Sequence, residues 1–398
     1  MANNNKHTGP NVPALRFPEF SGEWIESKLG DIADFSKGAG ISKDQRSEKG
    51  NPCILYGELY TRYKSEVITN VFSKTALPDS DLVKSKANDI IIPASGETAE
   101  DIATARCVPF DNILLGGDLN IIRLHEQDGK FFSYQLNGVR KYDIAIVAQG
   151  VSVVHLHAGD LKGITVKYPS HIAEQEKISQ ILGLIDDRIA TQSKIIEELT
   201  TLRSALIEKC AKQSGNFFPL SDILKEVEER STAANQHQVL SSTVKGIFSQ
   251  KEYFNKDIAS EDNKGYKVVR KSHVVLSPQN LWMGNINYND QFDIGIVSPS
   301  YKVFSIKEGF NPIFIAALLQ TKKALNEYML ASEQGASIVR RNLNIEAFMA
   351  IKFRIPDARQ QDSLSMAITA INAKLNNERC YLEQLTMQKS CLLENMFI

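Results

Sequence analysis

The chain has 398 residues, enough for two or three domains that each bury a core. A hydrophobic fraction of 42% with 23% charged residues is that of a globular protein and excludes a disordered or fibrous chain. Lysine and arginine number 46 against 47 acids, a net charge of −1; bulk charge therefore points to no polyanion partner, although a local basic face can be offset by acidic helices elsewhere.

The N-terminus, Met1–Pro10, is polar and lacks the apolar stretch of a secretory signal. The longest apolar runs, Ile144–Ala158 and Phe310–Leu319, are too short or too interrupted to span a bilayer. Cys53, Cys107, Cys210, Cys380 and Cys391 form no CxxC pair, which fits reduced thiols. A cytoplasmic protein without membrane partners is expected.

Along the chain, Trp24 to Ile32 opens a first globular region. Tyr60, Arg62, Tyr63 and Lys64 interleave aromatics with base, a pattern that can neutralise phosphates. Asp89–Pro93 reads as a buried strand, and the loop after it exposes Ser95, Glu97 and Thr98. Gln149, Gly150 and Ser152 follow in the run Gln149-Gly150-Val151-Ser152-Val153-Val154, with His155 and His157 just beyond. Ile164–Tyr168 is strand-like and leads to Pro169, after which Ser170 is a candidate N-cap for a helix from Ile172 to about Ala211.

The same order then recurs. Phe218–Ile223 corresponds to the opening segment, and His273–Pro278 to the buried strand, its loop presenting Gln279 and Asn280. A second basic cluster holds Lys267, Arg270 and Lys271, and Trp282 with Met283 reads as core or interface. A helix is expected over Asn311–Met329. Gln334, Gly335 and Ser337 match Gln149, Gly150 and Ser152, and Arg340, Arg341 and Asn342 fall where the first copy has its histidines. Ile351–Ile355 leads to Pro356, candidate cap Asp357 and a helix from Ala358 to about Met396.

The two long helices share one apolar seam. Ile178, Leu182, Ile185, Ile189, Ile196, Leu199 and Leu206 alternate steps of four and three, as do Leu364, Ile368, Ile371, Leu375, Leu382, Leu385 and Leu392. Each pair of counterparts keeps the shift of Ile185 to Ile371, and the polar breaks coincide, Gln192 with Glu378 and Arg203 with Lys389. Such stripes can close on each other as a coiled coil. The expected class is α+β: two α/β globular domains separated by a long antiparallel two-helix coiled coil, with an internal pseudo-twofold repeat. The segments are 1–23, 24–168, 169–213 (central spacer helix), 214–355 and 356–398 (C-terminal spacer helix). A helix of ~40 residues is ~60 Å long, so the pair suits a spacer between two readers of a repeating ligand, with duplex DNA the obvious candidate.

Catalytic motifs are scarce. Asp257 with Asp262, Asn263 and Lys264 lacks the flanking strands of a nuclease site, Asn51-Pro52-Cys53-Ile54 lacks the second proline and aromatic of an adenine methyltransferase motif, and there is no P-loop. His155 and His157 could be two metal ligands, but Arg340, Arg341 and Asn342 at the matching position suit phosphate or base edges instead. Gly150 and Gly335 suit a tight turn, Ser152 and Ser337 can donate to phosphate, Gln and Asn can read adenine, and Glu can accept from cytosine. Two readings stay open beside a DNA-reading protein: a self-contained restriction or modification enzyme, and a coiled-coil scaffold without nucleic acid.

Pro13–Phe20 followed by Trp24 and Lys28-Leu29-Gly30-Asp31-Ile32, the segment Gly150–Val154, and Glu174-Gln175-Glu176-Lys177-Ile178 with Leu182, Ile185 and Asp186 are similar to those of type I restriction–modification specificity subunits. Together with the duplication, the resemblance covers nearly the whole chain. It implies two target-recognition domains, each reading half of a bipartite, asymmetric double-stranded DNA target. It also implies a noncatalytic chain docking two modification (methyltransferase) subunits and restriction/translocase subunits, with S-adenosylmethionine, ATP and magnesium in those partners and no cofactor or metal here. The second copy reads Arg359-Gln360-Gln361-Asp362 against Ala173-Glu174-Gln175-Glu176; the shared Gln175 and Gln361 are expected at the helix and subunit interface.

Overall fold

The structure is a computed structural model that describes residues 11–78, 80–150, 153–213, 215–254, 262–334 and 341–398. It divides into two units, Met1–Ser193 with Tyr381–Ile398, and Lys194–Cys380. Two long helices contribute to both: a central helix, Ile172–Gln213, and a C-terminal helix, Ala358–Met396. Asp357 caps the second as expected, its carboxylate accepting from Gln360 N at 2.9 Å. The first starts at Ile172, which puts His171 rather than Ser170 at the cap position.

In the first unit, Ile25–Lys28 pairs antiparallel with Thr165–Tyr168, the strand that delivers the chain to the central helix. Beside this ladder lies an antiparallel sheet ordered Ala33–Lys37, Leu119–Leu124, Asp89–Pro93, Arg106–Val108. Ile90, Ile91 and Ile92 are fully buried, as the unbroken β-branched run demands of a strand covered on both faces. The helix Gly129–Asn137 supplies Phe131, Phe132 and Tyr134 to a core shared with Trp24, Val166, Ile178, Leu182, Met396 and Phe397. A second small sheet, built from Arg46–Ser47, Ser73–Thr75, Asn51–Ile54 and Leu114–Leu115, belongs to this unit alone.

The second unit repeats the framework. Asn216–Pro219 pairs with Lys352–Ile355, and the four-stranded sheet runs Leu224–Glu226, Lys302–Ile306, Val274–Leu276, Ile286–Tyr288 in the same relative order. Its core joins Phe304, Phe314, Tyr328, Phe348 and Phe353 to Ile207, Leu364 and Ile368 of the long helices. The helix expected over Asn311–Met329 is two, Pro312–Leu318 and Lys322–Leu330. Thr321 breaks it by capping the second, its hydroxyl accepting from Ala324 N.

The long helices pair antiparallel inside each unit. In the first, Asp186 meets Lys389 at 2.7 Å while Leu182 shares a core with Leu392 and Met396. In the second, Arg203 donates to Asn372 at 2.9 Å while Ile207 packs with Leu364 and Ile368. These two polar pairs are repeat counterparts: Asp186 corresponds to Asn372 and Lys389 to Arg203. Along the seam Ile178, Leu182, Ile185, Leu364, Ile368, Leu375 and Leu385 are buried, whereas Ile189, Ile196, Leu199, Leu206, Ile371, Leu382 and Leu392 are half-buried. Near its end the central helix buries Ile207 rather than Leu206, because 3.6 residues per turn drifts from a strict heptad.

Candidate nucleic-acid interface

In the first unit, Ser95–Gly96 forms a short ladder with Val154–His155. Gln149 and His155 exchange both backbone hydrogen bonds, at 2.7 and 2.8 Å. Leu156 N donates to Ala94 O, and the Asn120 amide donates to Leu156 O, so the turn is fastened to the end of the buried strand. The result places Glu97 next to a turn that exposes Gln149, His155 and His157, whose rings lie 6.5 Å apart and nearly parallel. Gly150 has a φ of 131°, and a Cβ there would sit 2.1 Å from Val153 O, confirming the tight turn. Gly150→Ala is expected to cost about 1–3 kcal/mol in strain, measured by chemical denaturation against the unaltered chain.

The second unit brings together corresponding segments. Arg341 N donates to Gln279 O, and the Arg341 guanidinium lies 5.8 Å from the Trp282 ring centre. Gln279, Met283 and Asn342 are exposed and Asn280 is half-buried. Trp282 Nε1 and Arg341 Nε are buried atoms without a hydrogen-bond partner, donors left unspent beside an exposed loop. Trp282 is thus half-buried at the edge of this loop rather than deep in the core.

Several sequence expectations are corrected. Tyr63 is 4% exposed and packs in a core with Ile54 and Leu59, its ring 5.3 Å from Phe72. Lys267 is 3% exposed and lies between Glu226 and Glu228, at 3.8 and 3.4 Å. Ser95 is buried in its ladder, and Thr98 caps the turn Ala99–Ile102 by accepting from Asp101 N. Neither basic cluster is an uncompensated patch: Arg62 pairs with Glu58, Arg270 with Glu229 in a two-point contact, and Lys271 with Asp293. Tyr60 is half-buried and Lys64 exposed. Ser152, Gly335, Ser337 and Arg340, with Asp257, lie outside the described residues, as does the side chain of Gln334. Among the described residues no group of three or more His, Cys, Asp or Glu could hold a metal, so His155 and His157 gain no third ligand.

Gln175 and Gln361 are also corrected: they are 0% and 3% exposed and face their own units. Gln175 Oε1 accepts from Asp128 N at 3.0 Å and its amide donates to Pro169 O. Gln361 Oε1 accepts from Asn311 N at 2.8 Å and its amide donates to Pro356 O. One turn further along each helix, Ser179 donates to the Asp128 carboxylate and Ser365 to Asn311 Oδ1, both at 2.6 Å. Asp128 and Asn311 in turn cap the head helices Gly129–Asn137 and Pro312–Leu318. The signal was present in the sequence: Ser179 and Ser365, like the glutamines, keep the shift of the helix seam.

A buried charge cluster was not foreseen. Lys389 reaches Glu66 at 2.6 Å and Asp186 at 2.7 Å, and Tyr134 donates to Asp186 at 2.7 Å. Burial pushes the Glu66 carboxyl up despite Lys389. Burial alone would lower the Lys389 ammonium, but Glu66 and Asp186 together hold it above the usual lysine range. Glu66 carries no periodic pattern that could announce it.

The two units are built on one framework, and each presents a polar loop at the end of its buried strand. A family model described as type I restriction modification DNA specificity domain matches residues 21–201. Over 97% of the chain and 99% of the other, the fold is similar to a type I restriction–modification system S subunit from M. genitalium, with 18% identity and a TM-score of 0.60. A structure from a study of type I R-M complex assembly and conformational transition is 11% identical over 94% of this chain and 97% of that one (TM-score 0.49). The HsdS subunit of Thermoanaerobacter tengcongensis is 11% identical over 94% and 96% (TM-score 0.36). No curated protein matches the chain. The match to the specificity-domain model thus covers residues 21–201, and the likeness to the M. genitalium S subunit extends the fold alone over nearly the whole chain.

Proposed function

We propose that the chain reads a bipartite, asymmetric double-stranded DNA sequence, one half through each unit, and that it is a noncatalytic subunit. In this reading the long helices set the gap between halves and dock two methyltransferase subunits and the restriction/translocase subunits. S-adenosylmethionine, ATP and magnesium then act in those partners. The observation that carries the reading is the recurrence, in the second unit, of the framework that residues 21–201 share with the specificity-domain family. The differing loops on that framework favour two different half-sites: Glu97 with Gln149, His155 and His157 in one, Gln279 with Arg341 and Asn342 in the other. Base edges are read by such side chains, whereas phosphate contacts only position. The pairing of Arg62, Arg270 and Lys271 with acids favours a chain that leaves much nonspecific phosphate binding to its partners.

Co-expression with the modification subunits, followed by mapping of methylated adenines across the host genome, tests this. The expected result is one split motif. Replacing Gln279, Arg341 and Asn342 is expected to alter one half only. Methylation by this chain alone, or an unsplit motif, would overturn the reading.

A further inference from the structure

We infer that Gln175 and Gln361 are positioning residues for half-site recognition, each aiming one unit's reading loops by clamping a head helix onto its own stretch of long helix. The inference rests on the proposed two-half reading and adds which residues set the aim of each half.

The central bonds are the same in both units, and the Gln175 amide also donates to Gln127 Oε1. Each glutamine uses its carbonyl oxygen on the backbone N–H of the head helix's cap residue, and its amide on the carbonyl of the proline that precedes the long helix. Each thereby ties three things to one side chain: the head helix, the strand that ends at that proline, and the long helix itself. The serine one turn on adds a hydroxyl bond to the cap side chain. Buried side chains with every polar group satisfied fix geometry more strictly than apolar contact, because any shift leaves a desolvated donor or acceptor unpaired.

The clamp leads directly to the readers. The head helix Gly129–Asn137 binds the far side of the first sheet, Asn137 donating to Ala105 O beside the strand Arg106–Val108. The cap residue's neighbour, Gly129, donates its backbone N–H to Asn88 Oδ1 at the start of Asp89–Pro93, the strand whose other end carries Ser95 and Glu97. In the second unit the clamped helix Pro312–Leu318 runs on to Gln320, whose amide donates to Ile286 O in the sheet strand next to Val274–Leu276, and that strand leads to Gln279. A chain of hydrogen bonds therefore joins each glutamine to one reading loop and not to the other. The two clamps differ in the cap side chain, an Asp128 carboxylate against an Asn311 amide that also donates to Asp362, and in the further bond from Gln175 to Gln127.

The test uses the full chain in complex with its methyltransferase subunits and measures methylation of four duplexes: cognate, first half scrambled, second half scrambled, and both scrambled. Gln175→Ala is expected to lower discrimination at one half-site roughly tenfold, the effect of losing buried hydrogen bonds, while the other half is still read. Gln361→Ala is expected to do the opposite. Asp128→Asn, which copies the amide of the second unit, is expected to keep discrimination. If Gln175→Ala fails to fold, Ser179→Ala and Ser365→Ala remove only the hydroxyl and are expected to show the same asymmetry at smaller size. Equal loss at both halves, or none at either, overturns the inference while the function stands. An unaltered complex that discriminates at neither half overturns both.

Discussion

Lys389→Met is expected to destabilise the first unit by about 3–5 kcal/mol, because it removes one partner from a buried charge cluster and leaves Glu66 and Asp186 facing each other. Methionine keeps the length and apolar stem of the lysine, so the loss reports charge rather than volume. Glu66→Gln is expected to cost about 1 kcal/mol or less, since the amide oxygen still accepts from Lys389 and the carboxylate it replaces is disfavoured by burial. Chemical denaturation monitored by circular dichroism separates the two.

The same cluster sets a pH dependence. Glu66 binds its proton more tightly when folded, so its contribution to stability is complete below the ordinary carboxylate range and is lost as pH rises through its higher folded value. Lys389, also raised, keeps its contribution until alkaline pH and loses it as pH rises through its own folded value. Glu66→Gln removes the acidic part of this slope and leaves the alkaline part.

How much of this was legible beforehand follows from where periodicity exists. The long helices, their antiparallel seam and the duplicated order of elements could be read because Ile185, Ile371 and their neighbours obey a regular spacing and a constant shift. The buried strand Asp89–Pro93 was equally plain from its isoleucine run. The candidate loops could be picked out but their side chains not sorted, because a loop sequence does not say which side chain turns inward. Tyr63 and Lys267 look like phosphate contacts in a string of letters, yet one fills a core and the other lies between two glutamates. Lys267 is buried against Glu226 and Glu228, which come from a segment far away in sequence, and no local pattern carries that pairing. Gln175 and Gln361 were recognised as special through their shared position, but their partners Asp128 and Asn311 were missed because polar caps are common.

Ile185→Pro is expected to abolish assembly with the modification subunits, and Ile371→Pro to weaken it less. Proline in a helix interior removes a backbone hydrogen bond and clashes with the preceding turn, costing about 3 kcal/mol or more. Both positions stand one residue before the polar partner that joins the long helices, Asp186 for Lys389 and Asn372 for Arg203. A kink at either displaces that acceptor from its donor on the other helix. The first site suffers more on two grounds: Ile185 is buried where Ile371 is half-buried, and Asp186 also accepts from Tyr134, so its displacement breaks a cluster of opposite charges rather than one bond from an arginine to a neutral amide. Co-purification with tagged modification subunits and the melting profile of each variant measure the difference. If both variants still assembled at unaltered stoichiometry, the paired helices would not be the surface on which those subunits dock, and their regular seam would serve only to hold each unit's core together.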